Sequence, residues 1–238
     1  MALGDEFKSS GITENTAKNV LFGAGTIHKG LKFSSSAWNF TESLICATSG
    51  GSKISIVPEF TDVEVDGATV IVKGLKVKTG ETATMEINPV EITPDIIKMS
   101  LIGDSNTSET ATGYDEITSR ARIKEGDYLE NIAFVGKTLE GNPIIAIMDN
   151  ALCTSGFETE PKNKEAAVPT LTFECHADPA SGEFEKLPWH IYYPTPAGRS
   201  LQSEPAGTSS AGPASQSSNT ASQSSSGSSG SSAASAGK

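Results

Sequence analysis

The residues with the widest chemical scope here are three histidines and three cysteines. His28, His176 and His190 lie in separate segments, and no two share the H-x-x-x-H spacing that places a pair on one helix face. Cys46, Cys153 and Cys175 form no C-x-x-C pair, and their odd number argues for reduced thiols rather than a disulfide framework. The nearest approach to a metal set is Cys153, Cys175 and His190, drawn from distant segments. Cys175 and His176 are neighbours on an extended stretch, so their side chains point to opposite faces. Ser155, within Thr154-Ser155-Gly156, is not the nucleophile of a G-x-S-x-G elbow. Gly23-Ala24-Gly25 opens like a dinucleotide loop, but the sixth position is His28 and no βαβ unit surrounds it. Gly50-Gly51-Ser52-Lys53 lacks the spacing of a phosphate loop. Carboxylates are plentiful, yet no spacing singles out an acid–base pair. The expectation is a protein that is not an enzyme, with no catalytic residue, metal or cofactor.

The elements that would hold such residues are strands. Composition divides the chain: residues 1–196 read as one domain with an arm at 1–17, and residues 197–238 as a Ser/Gly/Ala-rich disordered tail. That tail has one leucine and no aromatic residue, too little apolar surface to offset the roughly 1–2 kcal/mol per residue that ordering a backbone costs. The tail carries Arg199, Glu204 and Lys238, so the chain's net charge of −11 becomes −12 over residues 1–196. Such acidity disfavours gripping nucleic acid, which takes clustered Lys and Arg. The N-terminal residues carry no basic-then-apolar leader, and no run approaches the ~20 apolar residues that span a bilayer, so neither secretion nor a membrane is expected.

Period-two alternation recurs along the domain. In Lys53–Phe60, Ile54, Ile56, Pro58 and Phe60 oppose Lys53, Ser55, Val57 and Glu59. In Glu81–Asn88, Ala83, Met85 and Ile87 oppose Thr82, Thr84, Glu86 and Asn88. Between them, Thr61–Thr79 reads as a long hairpin turning at Asp66-Gly67. Further strands are expected at 19–27, 114–124, 128–137, 143–149, 170–178 and 187–193, with a hairpin turn around Glu140-Gly141-Asn142. One helix is expected from Thr93 as N-cap, with Pro94 at its first position and Gly103 at its end. Asp104–Gly113 reads as a loop. Trp38 and Phe40 fall on one face of an extended stretch. The fold class is mainly β with one short α-helix, a β-sandwich or partial barrel of about eight to ten strands.

Two stretches resemble the major tail tube proteins of long-tailed bacteriophages of the siphophage type. The first runs Val57-Pro58-Glu59-Phe60-Thr61-Asp62-Val63-Glu64-Val65-Asp66-Gly67-Ala68, on to Val72-Lys73-Gly74-Leu75-Lys76-Val77, then to a strand ending at Met85 and the Thr93-Pro94 helix. The second is Tyr128-Leu129-Glu130-Asn131-Ile132-Ala133-Phe134-Val135-Gly136, followed by Asn142-Pro143-Ile144-Ile145 and by Phe173-Glu174-Cys175-His176-Ala177-Asp178. Together they run from about Asn19 to Pro194. The resemblance implies a structural virion protein, made late in the host bacterial cytoplasm. Homohexameric rings would stack into the tail tube that conducts DNA during ejection. Its partners would be further copies of itself, the tape measure protein, and tail terminator and baseplate proteins, with DNA passing through unbound. Contractile tails and the type VI secretion tube use a similar ring and are the near alternatives.

On this reading Ser55, Glu59, Thr82, Thr84 and Glu86 line the lumen, where like charge keeps DNA from adsorbing. The hairpin residues Asp62, Glu64, Asp66, Gly67, Lys73, Lys76 and Lys78 would meet the next ring. Two competing readings are a carbohydrate-binding β-sandwich module using Trp38, Trp189 and Tyr192, and a capsid decoration protein.

Overall fold

The computed structural model describes residues 10–195. The expected disordered tail and the first nine residues of the expected arm lie outside that range. Residues 10–15 are exposed and lead into a single helical turn, α1 (Thr16–Asn19). There follow β1 (Leu21–Lys29), β2 (Phe33–Ser34), β3 (Ala37–Trp38), α2 (Phe40–Ser43), β4 (Leu44–Cys46), β5 (Lys53–Asp62) and β6 (Lys76–Ile87). Then come α3 (Pro94–Ser100), β7 (Gly103–Thr107), β8 (Asp115–Ser119), β9 (Leu129–Thr138), β10 (Pro143–Cys153), β11 (Leu171–Cys175) and β12 (Trp189–Tyr192). The protein is mainly β, and its principal sheet curls into a half-barrel.

That sheet has eight strands in the order β4-β1-β9-β10-β11-β6-β5, with β12 also paired to β10. Every pairing in it is antiparallel. β10 organises the centre. One of its edges carries β9; the other is divided between β12, against Ile145–Met148, and β11, against Ala151–Cys153. The β9–β10 hairpin closes where expected, with the Gly141 N–H donating to Thr138 O at 2.8 Å.

Both faces of β9 and β10 are covered, which is why these two strands read as apolar runs rather than alternating ones. On one face Ile132, Phe134, Met148, Ala151 and Cys153 join Ala83, Met85, Ile87, Leu171 and Phe173, and α3 packs there through Ile96 and Met99. Each fully buried side chain of this size contributes roughly 1.5–3 kcal/mol. On the opposite face Ala133, Val135, Ile145 and Ile147 meet Leu31, with Trp38 and Phe40 laid over them. These two rings do share a side, 6.5 Å apart, although the turn α2 rather than a continued strand carries Phe40.

Two expectations near α3 are corrected. Thr93 caps α3 as expected, accepting from the Ile96 N–H at 3.2 Å. The helix nevertheless stops at Ser100, where Leu101 turns extended (φ −121°, ψ 146°), and Gly103 does not end it. Gly103 instead starts β7, where an added Cβ would sit 2.5 Å from Thr118 O, so its missing side chain lets β8 approach. The expected loop 104–113 is therefore partly strand: β7 pairs with β8 from Gly103↔Ser119 to Thr107↔Asp115. With no apolar side chain, β7 carries no periodic signal, whereas β8 falls inside the strand expected at 114–124. Finally, α1 and α2 are helical turns beyond the one helix expected, each too short to show a helical period.

Candidate assembly interface

β6 pairs with β11 only from Thr84 to Ile87. Among the described residues its earlier ones pair only with β5, so the β5–β6 hairpin continues past the end of β11 as a two-stranded arm. The arm's ladder closes at Asp62↔Lys76 and at a Val63 N–H to Leu75 O bond of 2.7 Å. Beyond it the chain makes two turns, not the single Asp66-Gly67 turn expected. Ala68 N–H reaches Val65 O and Leu75 N–H reaches Val72 O, both at 3.1 Å. Gly67 and Gly74 take φ of +86° and +95° in these turns, a region glycine enters without strain. Lys73-Gly74 is thus a second turn, and Val70 and Val72 sit in the loop rather than on a return strand. The tip is apolar and open to solvent: Val63, Val65 and Val72 are exposed, Val70 to 76% and Ile71 to 74%.

A bulge at the arm's root sets which way its side chains point. Glu59 pairs with Gly80 but Phe60 pairs with Lys78, leaving Thr79 as the extra residue. A bulge of this kind shifts the alternation by one. Phe60, Asp62, Lys76 and Lys78 therefore share a face with Glu81. Lys78 pairs with the Glu81 carboxylate, which also accepts from the Trp189 indole N–H at 2.8 Å. The bond from Lys78 holds the Glu81 carboxyl below the usual carboxylate range. Trp189 belongs to β12 and packs on the core, so this contact fastens the arm's root to the body. Lys76 pairs with Asp62 at 3.0 Å and lies 5.8 Å from the centre of the Phe60 ring. Among the described residues Lys73 has no ion pair, so of the three lysines assigned to the hairpin, two are engaged within their own subunit.

The five residues expected along a lumen do share one face. Register places Ser55 opposite Thr84, Val57 opposite Thr82, Lys53 opposite Glu86 and Glu59 opposite Gly80. Ala83, Met85 and Ile87 point the other way into the core, with Ile54 and Ile56 packed against it. Pro58 and Phe60 continue that apolar side past the end of β11 and are exposed. The polar strip also extends onto β11, because Thr172 pairs with Glu86 and Glu174 with Thr84. The Thr172/Glu174 alternation is visible in the sequence, but the pairing partner of β11 is not. The strip thus carries Glu59, Glu86 and Glu174 with Lys53 among them.

The β7–β8 hairpin is pinned at its base by Arg120. Its guanidinium pairs with Asp127 and with Asp104 (2.6 Å) and donates to Gly103 O at 3.0 Å; Lys124 adds a second contact to Asp104 at 3.0 Å. Hydrogen bonds from Lys124 and Arg120 hold the Asp104 carboxyl low, and that from Arg120 holds Asp127 low.

The groups that could do chemistry are dispersed or engaged. Burial pushes the Cys175 thiol up to about 12, and it donates to Asp149 O at 3.3 Å. Cys46, Cys153 and Cys175 are all buried and unbridged. His28 is buried between Thr26 Oγ1 and Ser43 Oγ, each 2.9 Å away, and its burial lowers its pKa. His190 lies 3.5 Å from Asp149, whose carboxyl is raised by burial. No group of three His, Cys, Asp or Glu among the described residues could hold a metal. The aromatic platform of the carbohydrate reading is divided. Trp38 and Tyr192 meet at 5.0 Å, but Trp189 points to the other side of β12, into the core.

No known protein family and no curated protein matches the chain. Among solved structures, a chain in the virion of a native gene transfer agent particle aligns at TM-score 0.35 and 12% identity, over 65% of this chain and 92% of that one. A chain in the tail of an empty gene transfer agent particle, computed with helical refinement in C6 symmetry, gives 0.36 and 13%, over 65% and 92%. One in the baseplate of the anti-feeding prophage gives 0.39 and 9%, over 72% and 95%. Similarity at this level assigns neither a family nor a function.

Proposed function

We propose that this protein is a self-assembling structural subunit of a phage-type virion tail, in which hexameric rings stack into a tube that conducts DNA during ejection. The observation that carries the reading is the arm. A two-stranded ribbon is at best marginally stable alone in water, and large exposed apolar patches mark interaction sites. An arm that leaves its sheet with Val70 and Ile71 three-quarters exposed is built to be covered by another molecule. The long outer edge of β5, which has no partner strand among the described residues, supports the same reading, since unpaired strand edges template pairing with a further chain. A heterologous contact whose rotation closes makes a ring, and a permanent one buries about 2,000 Å² or more. The ring, its sixfold order, the tape measure, terminator and baseplate partners, and the virion location come from the sequence resemblance to tail tube proteins.

In this assembly Ser55, Glu59, Thr82, Thr84 and Glu86 face the lumen, and the arm carries the contacts between copies. The test is electron microscopy with sedimentation of the purified full-length chain. Rings or tubes are the expected result; a monomer at every accessible concentration would overturn the proposal.

A further inference from the structure

In a head-to-tail assembly an arm with an apolar tip needs an apolar acceptor elsewhere on the same chain. The start of β1 offers one. Val20, Leu21 and Phe22 are exposed there, Phe22 to 70%. The exposed Leu139 of the β9–β10 turn lies beside them, its N–H bonded to Val20 O at 3.1 Å. β4 pairs with β1 only at Ile27 and His28, so the outer edge of β1 from Leu21 to Thr26 has no partner strand among the described residues. Exposed large side chains along an open edge are a surface that folded chains cover.

Charge points to the occupant. Lys18 and Lys137, the latter the cross-strand partner of Phe22, flank the patch, and neither has an ion pair among the described residues. The arm tip carries Glu64 and Asp66, likewise unpaired. The two surfaces are thus apolar at the centre and opposite in charge at the rim.

Topology says where the occupant stands. β1 runs antiparallel to β9, and β6 runs antiparallel to β11 and hence parallel to β10. The arm therefore leaves the sheet at the end where β1 begins and β9 turns into β10. In the sheet order, however, β1 lies towards one edge and β5 is the other. An acceptor at the same end and the opposite edge is reached by a neighbour standing side by side, not by one stacked end-on.

We propose that Val20, Phe22 and Leu139, which share one face because Val20 stands opposite Leu139 and Phe22 opposite Lys137 while Leu21 points to the other side, form the socket that receives the arm tip of the adjacent copy within a ring. This inference rests on the self-assembly reading and names its acceptor. Val70 and Ile71 enter the socket; Glu64 and Asp66 approach Lys18 and Lys137, which set register and encounter rate more than strength.

The test uses the full-length chain carrying Phe22→Cys and Val70→Cys together, with each single variant as control. The native thiols are buried and do not compete. Mild oxidation of assembled material should give a ladder of covalent multimers on a non-reducing gel, absent from the single variants and abolished by reductant. Assemblies that form without the ladder would overturn the socket while leaving the tail-subunit reading intact. An unsubstituted chain that stays monomeric would overturn both. A charge swap keeps the inference testable should the cysteine pair block assembly. Lys137→Glu or Glu64→Lys alone should slow assembly about 2–5-fold, and the two together should restore it; no restoration counts against the socket.

Discussion

Lys78 and Glu81 stand three residues apart on one strand yet face the same way, because the bulge opposite Glu59 and Phe60 inserts Thr79 between them. In an unbulged strand they would point to opposite faces. The consequence is mechanical. Glu81 receives Lys78 from the arm and the Trp189 indole from β12, and only 8% of its side chain is exposed. One carboxylate thereby fixes the direction in which the arm leaves the body.

Glu81→Ala removes that junction and leaves the Trp189 N–H without its acceptor. Losing this part-buried hydrogen bond costs roughly 0.5–1.5 kcal/mol, so the urea midpoint should fall by that equivalent and tryptophan fluorescence should shift. Assembly should suffer more than stability, because the arm loses its direction. An unchanged midpoint together with unchanged assembly would show that the junction has no role.

That junction and the Arg120 cluster at the base of the β7–β8 hairpin give an acid response whose sign is fixed. Glu81, Asp104 and Asp127 all have folded-state pKa values below the ordinary carboxylate range, through Lys78, through Lys124 with Arg120, and through Arg120 respectively. A lowered folded pKa contributes stability that is full above the unfolded value, about 4, and is lost as pH falls through the folded one. Stability should therefore hold down to about pH 5 and decline below it. In Arg120→Ala the part of that decline due to Asp104 and Asp127 should shrink, and amides of 103–107 should exchange faster once the hairpin base is released. A pH profile identical to that of the unsubstituted chain would refute the assignment.

How much of this was legible follows from where each signal resides. Lys53–Phe60 and Glu81–Asn88 alternate because one face meets the core, so these strands and the co-facial set Ser55, Glu59, Thr82, Thr84 and Glu86 could be read directly. Thr93-Pro94 is a local capping signal and placed the start of α3. β8 falls inside the strand expected at 114–124, whereas β7 was illegible because its residues bury little and carry no period. The bulge at Thr79, the second turn at Lys73-Gly74 and the extension of the polar strip to Thr172 and Glu174 depend on which strands pair, and that is settled by long-range contacts. The division of Trp38 and Tyr192 from Trp189 likewise needs the placement of β12.

Gly103 tests the corrected reading of its segment. As a helix terminator it would sit in the left-handed region, and alanine would strain the end of α3. As a close-approach residue its replacement acts on β8 instead, because the new Cβ meets Thr118 O at 2.5 Å. Overpacking of this kind typically costs about 1–3 kcal/mol. Gly103→Ala should therefore lower the denaturation midpoint and loosen the pairing of β7 with β8, read as faster amide exchange at 103–107 and 115–119.

The polar strip makes the last prediction. If the face bearing Glu59 and Glu86 lines a lumen, its charge keeps the DNA backbone from adsorbing. Glu59→Lys with Glu86→Lys leaves the core-facing side of both strands untouched, so the subunit should fold and assemble. The altered tubes should retain DNA that unsubstituted tubes release, and added salt should abolish the retention steeply, because phosphate contacts release counterions. Binding of labelled duplex to assembled tubes across a salt series measures this, and particle ejection rates give a second readout. Assemblies of the double variant that neither bind DNA nor eject it more slowly would place this strip away from the DNA path, leaving the socket and arm as the functional surfaces of the fold.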